Sequence, residues 1–212
     1  MGFLRKPKGG DPASLYDRGL AAYKRGDYSS AIRDFGRLID LDPGSPPAYY
    51  QRGLAYARSG QLAKALADFE MTVHLGQTVS VGSPAQAREQ LIRAEYNCAL
   101  ACEKLGRYEQ ALEHYDRTIE LQPVHSEAWC NRGNVLLQLG EYGLAAESCS
   151  RAIELDPGDY LAYFSRAIAN QQTSSGRQVV EDLREYVRLA PPDHPQMEVA
   201  RRALEAEDRS PD

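Results

Sequence analysis

The stretch SEAWCNRGNVLLQLGEYGLAAESCSRAIELDPGD, residues 126–159, decides the fold. Two helix-length runs meet at Gly140-Glu141-Tyr142, and the second is closed by Leu155-Asp156-Pro157-Gly158, where Pro cannot continue a helix. The same punctuation recurs along the chain. Gly133, Gly140, Ala145 and Pro157 lie 34 residues beyond Ala99, Gly106, Ala111 and Pro123. Gly19, Gly26, Ala31 and Phe35 recur at the same step as Gly53, Gly60, Ala65 and Phe69, and Phe69 to Tyr115 is a jump of 46. A weaker last copy carries Ala167, Val179, Leu183 and Pro191. Self-similarity at this period marks a solenoid of helical hairpins, each buried against the next.

The small residues fall where two helices must approach. Gly19, Gly53 and Gly133 remove a side chain from the first helix of a hairpin, and Ala31, Ala65, Ala111 and Ala145 do the same on the second, since bulkier residues would force the pair apart. Ala31, Phe35 and Leu38, like Ala111, Tyr115 and Thr118, are spaced as one stripe of a helix. The expected architecture is all-α: ten repeat helices in five antiparallel hairpins. These span 12–45, 46–79, 92–125, 126–159 and 160–193, with an insertion at 80–91. A closing helix follows at 193–206, with Met197, Ala200 and Leu204 on its apolar side. Residues 1–11 and 207–212 are expected to be disordered.

The pattern resembles the tetratricopeptide repeat. The fourth block reads Trp129, Arg132-Gly133, Gly140-Glu141-Tyr142, Ala145, Ala152, Pro157, and the first reads Leu15, Arg18-Gly19, Gly26-Asp27-Tyr28, Ala31, Phe35, Pro43. It covers residues 12–191 and departs at two places. His74-Leu75-Gly76-Gln77 stands where the closing Pro would be, and Ser174-Ser175-Gly176 replaces the Gly-x-Tyr turn. The resemblance implies a right-handed α-solenoid that holds partner proteins on a concave face lined by the first helix of each hairpin. Carried over by position, the fifth, ninth and thirteenth sites are Tyr16, Leu20 and Lys24, then Tyr50, Leu54 and Arg58, then Tyr96, Leu100 and Lys104. In the last two blocks they are Cys130, Asn134 and Gln138, and Phe164, Ile168 and Gln172. Four-residue spacing makes each set one ridge. The first three ridges suit an apolar segment carrying acidic residues, as helix or strand. The fifth-site Tyr is also common in repeats with no particular ligand, whereas a Leu row calls for cover.

A carboxylate clamp for a chaperone's acidic C-terminus, known in the family, does not fit. Its places hold Tyr16, Leu20, Gln51, Arg93 and Asn97 in one frame, and Tyr96, Leu100, Asn131, Leu161 and Ser165 in another. The alternative role is self-assembly, with the groove filled by another copy or by Phe3 and Leu4 of the N-terminal arm.

The insertion admits two readings. Ser83-Pro84-Ala85-Gln86 looks like a helix start, with Ser as cap, Pro at the first position and Gln three residues after the cap, so the next helix begins about two turns early. The favoured reading is a tolerated addition at a solenoid edge, because lengthening a surface connection costs little. The other is a wall that extends the groove.

Arg18 with Asp34, Arg52 with Asp68, and Arg166 with Asp182 share one spacing, and Arg132 has Ser148 there. An Arg fork holding a carboxylate between two helices would fix their angle. Cys98 and His114 stand at these sites in the third block, with Cys102 one turn beyond. Three soft ligands could hold zinc, and a Cys near a His could be a nucleophile. With no fourth ligand and no orienting Asn or Asp, core packing is preferred, and no metal, cofactor or catalytic residue is expected. Cys149 also reads as core, and Cys130 as the thiol most open to reaction. His74, His125 and His194 read as solvated caps.

Thirty acidic against twenty-five basic residues give a net charge of -5, which argues against a nucleic-acid partner. No apolar run approaches a membrane span, Met1 to Gly10 lacks the hydrophobic stretch of a secretory signal, and Met-Gly-Phe-Leu-Arg-Lys lacks the Ser or Thr of a myristoylation pattern. Cytoplasmic location and reduced thiols are the resulting expectations. With neither a Gly-rich phosphate loop nor a hydrolase motif, the function expected is a non-enzymatic protein-interaction module.

Overall fold

The computed structural model describes residues 11–78, 83–173 and 176–207. Among them are eleven α-helices and no strand: α1 (Pro12–Lys24), α2 (Tyr28–Leu41), α3 (Pro46–Arg58), α4 (Leu62–Thr78), α5 (Pro84–Lys104), α6 (Tyr108–Leu121), α7 (Ser126–Leu139), α8 (Tyr142–Leu155), α9 (Tyr160–Gln172), α10 (Gly176–Leu189) and α11 (Met197–Glu207). None of them is long and apolar enough to cross a membrane. The helices form two compact units, residues 1–107 and 108–212. The expected disordered arm and tail lie outside the described residues except at their inner ends, where Asp11 caps α1 through Ser14 N–H and Glu207 closes α11.

In the first unit each helix packs on the next, α1 on α2, α2 on α3, α3 on α4 and α4 on α5. The turns repeat one design. Gly26 and Gly60 take φ values of 78° and 79°, a left-handed conformation that glycine adopts without penalty. The following N–H then reaches back five residues to satisfy a helix-end carbonyl, Asp27 to Ala22 and Gln61 to Tyr56. Close approach explains the other conserved-spacing glycines. A Cβ on Gly19 or Gly53 would stand 2.7 Å from the ring of Phe35 or Phe69, both wholly buried. With no Pro to stop it, α4 runs on through Gly76 to Thr78. As anticipated, α5 starts at Pro84 with a complete capping box: Ser83 Oγ accepts from Gln86 N–H, and Gln86 Oε1 accepts from Ser83 N–H.

In the second unit α6 packs on α7, α7 on α8, α8 on α9 and α9 on α10, and α11 lies on α10. Gly133 meets Cys149, whose Sγ would be 2.6 Å from an added Cβ. Met197, Ala200 and Leu204 cover Leu183 and Tyr186. The closing helix begins at Met197 rather than at Asp193. Pro195 disfavours helical backbone at His194, and residues 191–196 form turns instead. His194 is no solvated cap: its Nδ1 lies 2.6 Å from the hydroxyl of buried Tyr186. His125 is a cap as expected, its half-buried ring accepting from Ala128 N–H through Nδ1 at the start of α7.

The Arg forks form between helices as the spacing requires. Arg52 grips Asp68 with two bonds of 2.8 Å, Arg166 grips Asp182 at 2.9 and 2.6 Å, and Arg18 reaches Asp34 at 2.7 Å. Arg132 donates to Ser148 Oγ at 2.6 Å. Where that site lacks a carboxylate, the preceding repeat supplies one: Arg132 Nε binds Asp116 of α6 at 2.6 Å. Arg166 likewise reaches back to Ser150 of α8 at 3.0 Å, so these Arg join three helices rather than two.

Candidate partner-binding groove

In the first unit the ridges of α1, α3 and α5 carry six of the nine expected site residues into two separate cavities. Tyr16 and Tyr50 belong to one of about 470 Å³. Their rings meet buried Phe35 edge-on and Phe69 at a tilt, at centroid distances of 5.9 and 5.8 Å, which fixes their orientation. Pro47 and Gln51 of α3 continue this side, and the opposite side is α5, with Ala85, Gln86, Glu89 and Gln90 from its early start and Arg93 from the regular repeat. Asn97 Nδ2 donates to the Tyr50 hydroxyl at 3.2 Å and to the Arg93 carbonyl at 2.7 Å, tying the ring to α5. Burial raises the Tyr50 pKa above its ordinary value against the lowering pull of the Arg93 charge, so the phenol stays neutral.

The second cavity, about 240 Å³, holds Leu54, Arg58, Leu100 and Lys104 with Tyr23 and Phe69. Arg58 Nε donates to the Tyr23 hydroxyl at 3.3 Å, which steadies the guanidinium on the rim. Two cations and no carboxylate stand among the described residues lining it. The Leu row is half-buried rather than open, since Leu20 packs on the cluster of Ala22, Ala31, Phe35 and Ala55. Leu20, Lys24 and Tyr96 line neither of these two cavities.

The second unit differs. Cys130 does not line a groove and is no reactive thiol: it is 4% exposed, packed under Ala152 and Ala162. Asn134 Oδ1 accepts from Ser165 Oγ at 2.5 Å, and Phe164 stacks on Tyr186 at 4.9 Å, inside the last core cluster. Ile168 alone of this set is an exposed large apolar side chain, at 37%. The other thiols are buried too, and desolvation pushes Cys149 up to about 12, which keeps it protonated and inert. Cys98 and Cys102 are 0% and 1% exposed on α5, and among the described residues no group of three His, Cys, Asp or Glu side chains could hold a metal.

Pro47 and Gln51 were not among the expected site residues, and the early start of α5 lines the cavity as the less favoured of its two readings, a wall, would have it. These hairpins, turns and close-approach glycines match the family model described as tetratricopeptide repeat, over residues 16–78 and 96–160. The chain belongs to the tetratricopeptide repeat family. The gap between the two matched stretches contains the insertion, and the weaker fifth copy falls outside them. Among solved structures this repeat protein is similar to YrrB, described as a TPR protein with an unusual peptide-binding site. Identity is 20% over 94% of each chain, with a TM-score of 0.75. It is also similar to a MamA protein at 22% identity, over 84% of this chain and 90% of that one, with a TM-score of 0.74. For residues 41-end of MamA from Desulfovibrio magneticus, identity is 19% over 95% and 99%, with a TM-score of 0.72. No curated protein matches the sequence.

Proposed function

We propose that this repeat protein is a non-enzymatic interaction module that holds an apolar, partly acidic segment of another protein against α1, α3 and α5. The tetratricopeptide fold is a scaffold for protein–protein contacts, and the YrrB description shows a fold of this kind with a peptide site. The observation that carries the reading is the crevice of Leu54 and Leu100 under Arg58 and Lys104, which offers apolar floor and positive rim together. Charge partition favours the same place. Residues 11–107 hold twelve Lys and Arg against eleven Asp and Glu, net +1, whereas residues 108–212 hold ten against nineteen, net −9. An acidic segment is repelled by the second half and far less by the first. A helix pair already folded needs little ordering, so most of the entropic cost falls on the ligand.

The test is selection of random 16-residue peptides displayed on phage, using the purified chain and an Arg58→Glu, Lys104→Glu variant. Both substitutions sit on exposed rim positions, and circular dichroism confirms the fold. The wild type is expected to enrich peptides that combine aliphatic or aromatic residues with Asp or Glu, and the variant to lose the acidic preference. Identical enrichment by both proteins would remove the site from this crevice.

A further inference from the structure

The early start of α5 does more than lengthen an edge. It supplies four of the residues that line the larger cavity, Ala85, Gln86, Glu89 and Gln90, opposite Tyr16, Pro47 and Tyr50. Without Ala85, Gln86, Glu89 and Gln90 this end of α3 would face solvent on that side. The wall also has a particular electrostatic character. Arg93 Nε donates to Glu89 Oε1 at 2.8 Å, one helical turn away, so the two charges on it cancel. What remains is an apolar cleft between two tyrosines and a proline, with the amides of Gln51 and Gln90 at its border. Aromatic faces and uncharged amides favour a neutral side chain, with backbone N–H and C=O groups satisfied by the glutamines.

The smaller crevice has the opposite character, since Arg58 and Lys104 have no carboxylate beside them among its described lining residues. The two cavities lie on the same helices. On α3 they are centred near Tyr49 and Tyr56, and on α5 near Glu89 and Leu100. At about 1.5 Å per residue these intervals place them roughly 10 to 17 Å apart along the helix axes.

We infer that the α5 overhang creates a distinct anchor site for one bulky apolar side chain. The first unit then reads its ligand at two points: a neutral anchor at Tyr16 and Tyr50, and a carboxylate at Arg58 and Lys104. This rests on the proposed function and specifies the register of the ligand. An extended peptide, at about 3.3 Å per residue, bridges the interval with roughly three to five residues, and a helical one with roughly seven to eleven. The segment lies along the axes of α3 and α5.

A filled-cavity variant, Ala85→Trp, tests the inference in the same phage selection, because Ala85 is exposed and the substitution adds bulk without removing a core contact. Peptides enriched by the wild type are expected to carry an aromatic or large aliphatic residue at a fixed spacing from Asp or Glu. Ala85→Trp should lose the apolar preference and keep the acidic one, while Arg58→Glu, Lys104→Glu should do the reverse. Fluorescence anisotropy with one synthetic enriched peptide should show about tenfold weaker binding to each variant. A copy of that peptide with Ala in place of its apolar anchor should bind wild type and Ala85→Trp equally. Unchanged preference and affinity in Ala85→Trp, with loss in the charge-reversed variant, would overturn the second anchor and leave the proposed function standing. Parallel loss of both preferences in either variant would show a single undivided footprint and also overturn it. No enrichment by the wild type would sink the proposed function itself.

Discussion

At the scale of the residue, the Arg forks show how far one sequence can be read. The spacing from Arg52 to Asp68 and from Arg166 to Asp182 announced bonds inside a hairpin, and they form. The bond from Arg132 back to Asp116 was not legible, because reading each repeat as a closed block hides a partner in the preceding one. Cys130 failed for a related reason. Tyr16 and Tyr50 at the fifth site reach the larger cavity, but the small thiol at that site in the fourth block is packed under Ala152 and Ala162. Burial separates the forks energetically. Arg166 and Asp182 are 17% and 1% exposed, whereas Arg18 is 55% exposed beside Asp34. Asp182→Ala therefore leaves a largely buried guanidinium without its carboxylate, held only by the neutral hydroxyl of Ser150 among its described hydrogen-bond partners, and should cost about 3 kcal/mol. In Asp34→Ala the Arg18 side chain turns to water, and the loss should be about 1–2 kcal/mol. Urea unfolding of the two variants measures the difference, and equal losses would mean that burial does not set the strength of these pairs.

At the scale of the element, boundaries were legible where a specific residue enforces them. Asp11, Asp27, Ser83 and Asp159 cap their helices with side-chain acceptors, and Gly26, Gly60, Gly106 and Gly140 take the left-handed conformation at hairpin turns. Ends without such a residue were harder to place. The overrun of α4 to Thr78 and the late start of α11 at Met197 depend on what Gly76 and Pro195 permit rather than on what they demand. The α5 overhang shows why this matters for function. Its first two turns are mostly exposed, so little packing holds them and the capping box carries much of their order. Ser83→Ala should cost about 1 kcal/mol and act locally. Hydrogen exchange is expected to quicken at the amides of residues 85–90 and to stay unchanged at Cys98 and Ala99. Uniform quickening along α5 would mean that the overhang and the rest of the helix open as one unit.

At the scale of the whole molecule, the repeat period told the fold and the ridge residues of the smaller cavity, and left one wall of the larger cavity undecided. A 34-residue step fixes which helices pair, because each hairpin can bury its apolar face only on its neighbours. Cavity shape depends instead on departures from the period, above all the jump of 46 that delivers a longer α5, and a departure carries no internal template to compare with. The same nearest-neighbour logic governs stability. In a solenoid each repeat is held by its own core and by the repeats beside it, so damage should spread from its site with decreasing effect. Met197 is the sharpest place to ask, being 3% exposed at the start of the last described helix and packed with Tyr186, Leu183 and Ala200. Met197→Ala should remove about 2–5 kcal/mol from the last cluster. Hydrogen exchange should then lose protection in α9, α10 and α11, keep it in α1 to α4, and show intermediate loss in α7 and α8. Equal loss in every helix would make the chain one cooperative block, in which a ligand seated on α3 and α5 would stabilise α11 as strongly as its own contacts.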